Sequence, residues 1–127
     1  MNNTRILKIT SLLSLLLLTL HVTDDIVRGI SKAESSNTAL VVLVVLLYGT
    51  LGLAERQWGH VIMFLVGFLA AGIPVLHMRG AHYPAIAASP GGFFFVWTLW
   101  ALAALGGVTM ILAAHGLWSL RRERSPS

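Results

Sequence analysis

Residues Leu12–Gly29 read LLSLLLLTLHVTDDIVRG, and this stretch decides the fold. Its first half is apolar and predicts a helix shielded from water. Polar side chains then follow at His21, Asp24, Asp25 and Arg28. Because positions i, i+3, i+4 and i+7 share one face of a helix, these four residues form a single polar stripe at one end of an apolar rod.

The composition of the whole chain is that of a membrane protein. Its 127 residues are 56% hydrophobic and 11% charged, whereas soluble domains carry about 25% charged residues. The length suits one domain, residues 1–127, without a separate soluble module. Cysteine is absent, which excludes disulfides, thiolate metal sites and thiol redox chemistry. The net charge of +4 is scattered along the chain, so no nucleic-acid partner is expected.

Four apolar segments predict an all-α fold, an integral membrane four-helix bundle. About 20 helical residues cross a hydrocarbon core of about 30 Å. The spans are therefore predicted at residues 6–25, 38–54, 59–78 and 93–118. Small residues such as Gly67 and Gly106 predict close packing of the third and fourth spans, within one chain or between two copies.

A cleaved signal peptide is the alternative interpretation of the first span. Arg5 and Lys8 precede the apolar run, and Ser31–Ala33 (SKA) resembles a small-x-small cleavage site. That tripeptide lies too far from the apolar run, beyond the charged stripe. An uncleaved helix is therefore favoured.

The basic residues predict the orientation of the chain. With the N-terminus in the cytoplasm, the outer side holds only Arg28, Lys32 and Arg79. The inner side then holds all the other basic residues: Arg5, Lys8, Arg56, Arg121, Arg122 and Arg124. The positive-inside rule accordingly predicts a multi-pass protein of the inner (plasma) membrane with both termini in the cytoplasm.

The outer side gathers histidines and carboxylates. His21, Asp24 and Asp25 come from the end of the first span, and His77 and His82 come from the end of the third span and the loop after it. Imidazole nitrogens and carboxylate oxygens are ligands for divalent transition metals. These five residues therefore predict a metal site at the outer face.

Two other interpretations of this end stay open. Asp24 precedes Arg28 by four residues, which is the favourable order for an ion pair within a helix, so the charges also have a purely structural explanation. Alternatively, Arg28 and Arg79 form a polar pocket for an anionic ligand or a lipid headgroup. The loop at residues 79–92 is expected to lie against the membrane face or to cap the bundle.

The placing of the histidines resembles b-type membrane cytochromes, with His60 and His115 near the inner face and His21 and His77 near the outer face. This resemblance implies bis-histidine haem ligation in two layers. However, His60 and His77 are separated by about 25 Å along a straight helix, so both haems would lie close to the surfaces. Haem prefers a dry, shielded pocket, which ranks it below a divalent metal ion.

The sequence also disfavours transport and catalysis. Residues 6–23 contain no carboxylate, and residues 38–54 contain no ionisable group other than Tyr48, so a path for ions through the bundle is not expected. No nucleophile elbow, glycine-rich phosphate loop or HExxH motif is present. An enzyme is therefore not favoured.

These patterns together predict a small polytopic membrane protein with a structural, accessory or ligand-sensing role. Its expected partners are the lipid bilayer and either a second copy or another membrane protein. The main alternative is a metal-binding protein or membrane enzyme whose outer-face site is built from His21, Asp24, Asp25 and His77.

Overall fold

The structure, a computed structural model, describes residues 2–30 and 38–125. Helices make up 85% of these residues, and no strand occurs among them, so the predicted all-α class is confirmed. Ser31–Ala33, the tripeptide that resembles a cleavage site, lies outside the described residues, and Lys32 with it. The helices are α1 (Asn3–Val27), α2 (Thr38–Gly52), α3 (Gln57–Met78), α4 (Tyr83–Ala87) and α5 (Gly92–Arg124).

Three of these helices, α1, α3 and α5, are long and apolar enough to cross a membrane. They have 25, 22 and 33 residues. The apolar helix α2 has only 15 residues, or about 22 Å, which is less than the ~30 Å of a hydrocarbon core. The length and composition of the three long helices indicate a membrane protein.

Helix α2 ends at Gly52, two residues before the predicted end of the second span, because the chain turns sharply there. The backbone N–H of Arg56 donates to the carbonyl of Leu53 at 2.8 Å. Gly59, in the first turn of α3, lies so close to that carbonyl that a Cβ would overlap it. Only glycine permits this approach, and the tight turn joins α2 to α3.

Helices α1 and α5 pack in antiparallel fashion, as two buried contacts show. The Ser14 hydroxyl lies 3.4 Å from the Thr109 hydroxyl, and His21 Nδ1 lies 3.1 Å from Thr98 Oγ1. Residue numbers therefore rise along α1 as they fall along α5.

Helices α3 and α5 form the most extensive interface of the bundle, and glycines allow their backbones to approach closely. A Cβ on Gly67 would lie 2.6 Å from the Met110 nitrogen and 2.7 Å from the Gly106 carbonyl oxygen. Gly72 and Gly107 face open space instead. Close packing between small residues is the usual basis of helix association in lipid.

The centre of the bundle is apolar, and so is most of its outer surface. The core cluster is formed mainly by leucine, valine and alanine side chains: Leu15, Leu17, Leu18, Leu46, Val66, Ala70 and Leu102. Large apolar side chains also cover the outside, among them Leu16, Leu40, Leu76 and Ile111. An outer surface of this kind is suited to contact with lipid chains.

Hydroxyl groups are nevertheless buried inside the apolar bundle. Ser11 and Thr50 are fully buried, and their hydroxyl oxygens lie 2.8 Å apart between α1 and α2. Thr109 donates to the carbonyl of Leu105 at 2.8 Å, which satisfies its hydrogen within its own helix. Buried polar groups of this kind need partners, and here they find them on neighbouring helices or on the preceding turn.

Candidate functional site

Two histidines and one aspartate converge at the end of the bundle where α1 ends and α3 ends. His21 and Asp25 lie one turn apart on α1, and His77 lies in the last turn of α3. One nitrogen or oxygen atom from each of them lies within 4.8 Å of the other two. His21 and Asp25 are buried, and His77 is partly buried. Among the described residues, no other group of at least three such side chains has this geometry.

The hydrogen bond of His77 to its own helix fixes which nitrogen faces Asp25. His77 Nδ1 lies 3.0 Å from the carbonyl oxygen of Ile73. A carbonyl can only accept, so Nδ1 carries the hydrogen and donates it. The other nitrogen, Nε2, lies 3.0 Å from Asp25 Oδ2. Nε2 and the carboxylate oxygen both hold lone pairs, so a proton or a cation is required between them.

His21 is fixed in the same way by Thr98. The Thr98 hydroxyl donates its hydrogen to the carbonyl of Phe95 at 2.9 Å, so its oxygen accepts from His21 Nδ1 at 3.1 Å. His21 Nε2 is thereby left to face Asp25 Oδ1, at 3.8 Å. Within the described part of the chain, His21 Nε2 and Asp25 Oδ1 are the buried side-chain atoms that have no hydrogen-bond partner. Both histidines therefore present Nε2 to one carboxylate.

The ring of Phe95 forms the apolar wall of this site. It is fully buried, and its centroid lies 5.2 Å from that of His21 and 5.7 Å from that of His77. The two imidazole rings themselves meet edge to face at 4.9 Å. Rings in such direct contact leave no space for a porphyrin between them, so this pair does not fit bis-histidine haem ligation.

Asp24, although adjacent to Asp25, belongs to a different set of contacts. Arg28 Nε donates to Asp24 Oδ2 at 2.8 Å, which is the ion pair that the spacing of four predicts. The same guanidinium donates to the Ser89 hydroxyl at 2.9 Å and to the Pro90 carbonyl at 3.3 Å. Arg28 thus fastens the segment after α4 onto the end of α1, beside the Phe95 ring.

His82 and Arg79 lie apart from the cluster. His82 precedes α4, is exposed, and lines a cavity of about 560 Å³ together with Arg28 and Ser89. Arg79 follows α3 and is exposed, and it is not among the residues that line this cavity. The structure therefore brings together His21, Asp25 and His77, and it separates them from Asp24 and His82. Of the two arginines, Arg28 lines this cavity and Arg79 does not, and the Arg28 guanidinium already donates to Asp24 and Ser89.

The remaining two histidines lie at the opposite end of the bundle. His60 and His115 line a cavity of about 220 Å³, together with Glu55 and Gly116. His60 is buried, and its Nδ1 donates to the carbonyl of Arg56 at 3.1 Å. Gly116 leaves the space that the His60 ring occupies, because a Cβ there would overlap the ring.

Thr98 and Phe95 are site residues that the sequence interpretation missed. One signal for them was position, since α5 runs antiparallel to α1 and brings its first turns beside His21. The other was the spacing of Ser11, Ser14 and His21 on α1, because intervals of three and seven residues place all three on one helix face.

The chain was compared with protein-family models, with curated proteins and with solved structures, and none of the three comparisons gave a match.

Proposed function

We propose that this chain is a multi-pass membrane protein that binds a divalent transition-metal ion through His21 Nε2, His77 Nε2 and the carboxylate of Asp25. The observation that carries the proposal is the convergence of these three groups within 4.8 Å at a buried position. Two of the converging atoms, His21 Nε2 and Asp25 Oδ1, have no hydrogen-bond partner within the described residues.

The distances suit a metal ion of the first transition series. Two ligand atoms on a tetrahedral zinc ion are separated by about 3.3 Å, given bond lengths of 2.0–2.1 Å. Asp25 Oδ2 lies 3.0 Å from His77 Nε2, and Asp25 Oδ1 lies 3.8 Å from His21 Nε2. Two imidazoles and one carboxylate are ligands that zinc and ferrous ions both accept. Three protein ligands leave at least one position open to water or to a small ligand.

The hydrogen bonds behind the histidines support the same proposal. Histidines that bind metals usually donate the hydrogen of their other nitrogen to a carbonyl, a carboxylate or water, which fixes the tautomer and the ring orientation. His77 donates to Ile73, and His21 donates to Thr98, which in turn donates to Phe95. Both imidazoles are therefore held with Nε2 directed at the site.

For the topology, we propose that the protein lies in the plasma membrane, crosses it four times and has both termini in the cytoplasm. The support is the excess of arginine and lysine on the side of the termini, the three helices of spanning length and the antiparallel packing of α1 against α5. The remaining crossing is assigned to α2, which is apolar throughout but shorter than the hydrocarbon core, so the residues that flank it complete the crossing. In this arrangement the metal site lies at the outer face. Reporter fusions after Ser127 test the proposal, because a cytoplasmic reporter should be active there and a periplasmic reporter silent.

The metal content of the purified protein tests the site. The protein is purified in detergent without a polyhistidine tag, equilibrated with Zn²⁺ or Fe²⁺, desalted and analysed for bound metal by mass spectrometry. Wild type should retain stoichiometric metal. The variants His21→Gln, His77→Gln and Asp25→Asn should each retain little, because each removes one ligand while keeping the size of the side chain.

The variants Asp24→Asn and His82→Gln are the matched controls, since these residues lie on the same side of the bundle but outside the cluster. Both should retain as much metal as wild type. Helical circular dichroism and size-exclusion chromatography show whether each variant is folded. Equal metal retention by wild type and a folded His77→Gln protein would contradict the proposed site.

A structural role is the second candidate, and a specific observation favours it. The cluster links three helices, since Asp25 on α1 contacts His77 on α3 and His21 contacts Thr98 on α5. Polar contacts between helices stabilise association in lipid without any ligand. In that case the wild-type protein would be free of metal after desalting, and a proton would lie between His77 and Asp25.

A further inference from the structure

We infer that a groove at the C-terminal end of α5 binds an anionic phospholipid, with two arginines on the phosphate and an apolar channel for an acyl chain. The groove has a volume of about 580 Å³. It lies at the end of the bundle opposite the histidine and aspartate cluster. The inference therefore does not rest on the metal proposal, although it requires that the chain lie in a bilayer.

The inner part of the groove is apolar. It is lined by Phe64 of α3 and by Ala114 and Leu117 of α5. Ala114 has the smallest side chain of the three, so a larger residue at this position would reduce the volume of the groove. A surface of this composition, on the outside of a helix pair, suits a hydrocarbon chain.

The mouth of the groove is basic. Arg121 and Arg122 lie one turn beyond Leu117 and line the same groove. Trp118 lies between them and the apolar part, and the Arg122 guanidinium packs over its ring at 4.9 Å. Tryptophan is enriched at the depth of lipid headgroups, and stacking on it orients a guanidinium without using its N–H groups.

Neither arginine has an acidic partner in the described chain. The ion pairs between side chains there involve Lys8 with Glu55, Arg28 with Asp24, and Asp25 with the two histidines. Within residues 2–30 and 38–125, the side chains of Arg121 and Arg122 make no hydrogen bond. The neighbouring Arg124, in contrast, donates to the Gln57 side chain at 3.2 Å. The two guanidinium groups are therefore available to bind a phosphate, for which their planar geometry is well suited.

Helix length places this mouth at a membrane surface. Helix α5 has 33 residues, or about 50 Å, which exceeds the ~30 Å of a hydrocarbon core by about 20 Å. The apolar part of α5 up to Trp118 is about 39 Å long and crosses the core with a tilt, so the arginines that follow it lie among the headgroups. A net negative headgroup is favoured there over a zwitterionic one, because it is attracted to the charges of both arginines.

Native mass spectrometry of the detergent-purified protein tests this inference. Dioleoyl phosphatidylglycerol and dioleoyl phosphatidylcholine are offered to the same sample, so the two lipids differ only in the headgroup. Wild type should retain the anionic lipid in preference. The double variant Arg121→Gln/Arg122→Gln should lose that preference, with a fall in affinity of about fivefold for each arginine. Ala114→Phe, which fills the apolar channel, should weaken binding of both lipids.

Arg124→Gln is the matched control, since it removes an adjacent positive charge that lies outside the groove and is engaged with Gln57. It should bind the anionic lipid as wild type does. Equal retention of the two lipids by wild type would overturn the inference, and so would unchanged binding by the double variant.

In a separate arm, inorganic phosphate is added as a competitor. If phosphate alone displaces the lipid at millimolar concentration, the groove is a site for free phosphate and the inference is wrong.

Discussion

Asp25 of α1 and His77 of α3, 52 positions apart in the chain, meet through Oδ2 and Nε2 at 3.0 Å. Because the other nitrogen of His77 donates to Ile73, the contact needs a proton or a metal ion between the two atoms. It joins the ends of two helices that run side by side. The contact therefore stabilises the packing of α1 against α3 and also holds two of the proposed ligands in place.

We predict that Asp25 and His77 are energetically coupled in the metal-free protein. The free energy of unfolding is measured in detergent, with a chelator present, for wild type, for Asp25→Asn, for His77→Gln and for the double variant. Because each single substitution breaks the same contact, the coupling free energy should be ~0.5–3 kcal/mol. Effects of Asp25→Asn and His82→Gln should be additive, since His82 lies outside the cluster. Additive effects for Asp25 and His77 as well would show that the contact is not formed.

We predict that Thr98→Val weakens metal binding although Thr98 does not reach the proposed ion. The substitution keeps the shape of the side chain but removes the oxygen that accepts from His21 Nδ1. Loss of such a supporting hydrogen bond typically lowers metal affinity by about 10- to 100-fold. Competition with a chelating dye measures the affinity. Thr109→Val, the same change about three turns further along α5, should leave it unchanged, and an equal loss in both variants would point to a general effect on packing.

We predict that alanine destabilises the protein at one glycine of α3 and not at another. Gly67→Ala should lower the free energy of unfolding by ~1–3 kcal/mol, because its Cβ would press on the backbone of α5. Gly72→Ala has open space around it and should be neutral, or stabilising by up to ~1 kcal/mol, since alanine is the better helix former. Thermal unfolding in one detergent measures both. Similar stability of the two variants would mean that α3 and α5 do not approach at Gly67.

We predict that Arg28 holds the segment after α4 in place. Arg28→Gln should remove the hydrogen bonds to Asp24 and Ser89, so amide hydrogen exchange of residues 83–91 should increase. Arg79→Gln is the control, because Arg79 is exposed and lines no part of the cavity beside Arg28. Exchange that rises equally in both variants, or in neither, would contradict a fastening role for Arg28.

The long helices were predictable because their apolar runs leave no alternative to a helix in lipid. The end of α2 was not, since it depends on the turn at Leu53–Arg56 and on the approach of Gly59. The short helix α4 within the loop was also not predictable, because its five residues carry no periodic pattern.

The site was predictable as a cluster but not as a set of ligands. Asp24 and Asp25 are neighbours, so they point about 100° apart on a helix, and the sequence does not show which one faces inward. The structure directs Asp25 toward His77 and Asp24 toward Arg28. Thr98, which supports His21, comes from 77 positions away, so only the packing of α5 reveals it.

The buried polar contacts of α1 together set the axial position of this helix in the bundle. Ser11 meets Thr50 on α2, while Ser14 and His21 meet hydroxyls on α5. A slip of α1 by one turn, about 5.4 Å, would separate all of these pairs at once and carry Asp25 away from His77. Apolar side chains alone would tolerate such a slip, because one leucine turn resembles the next. The buried polar contacts therefore favour one axial position of α1, and at that position Asp25 reaches His77.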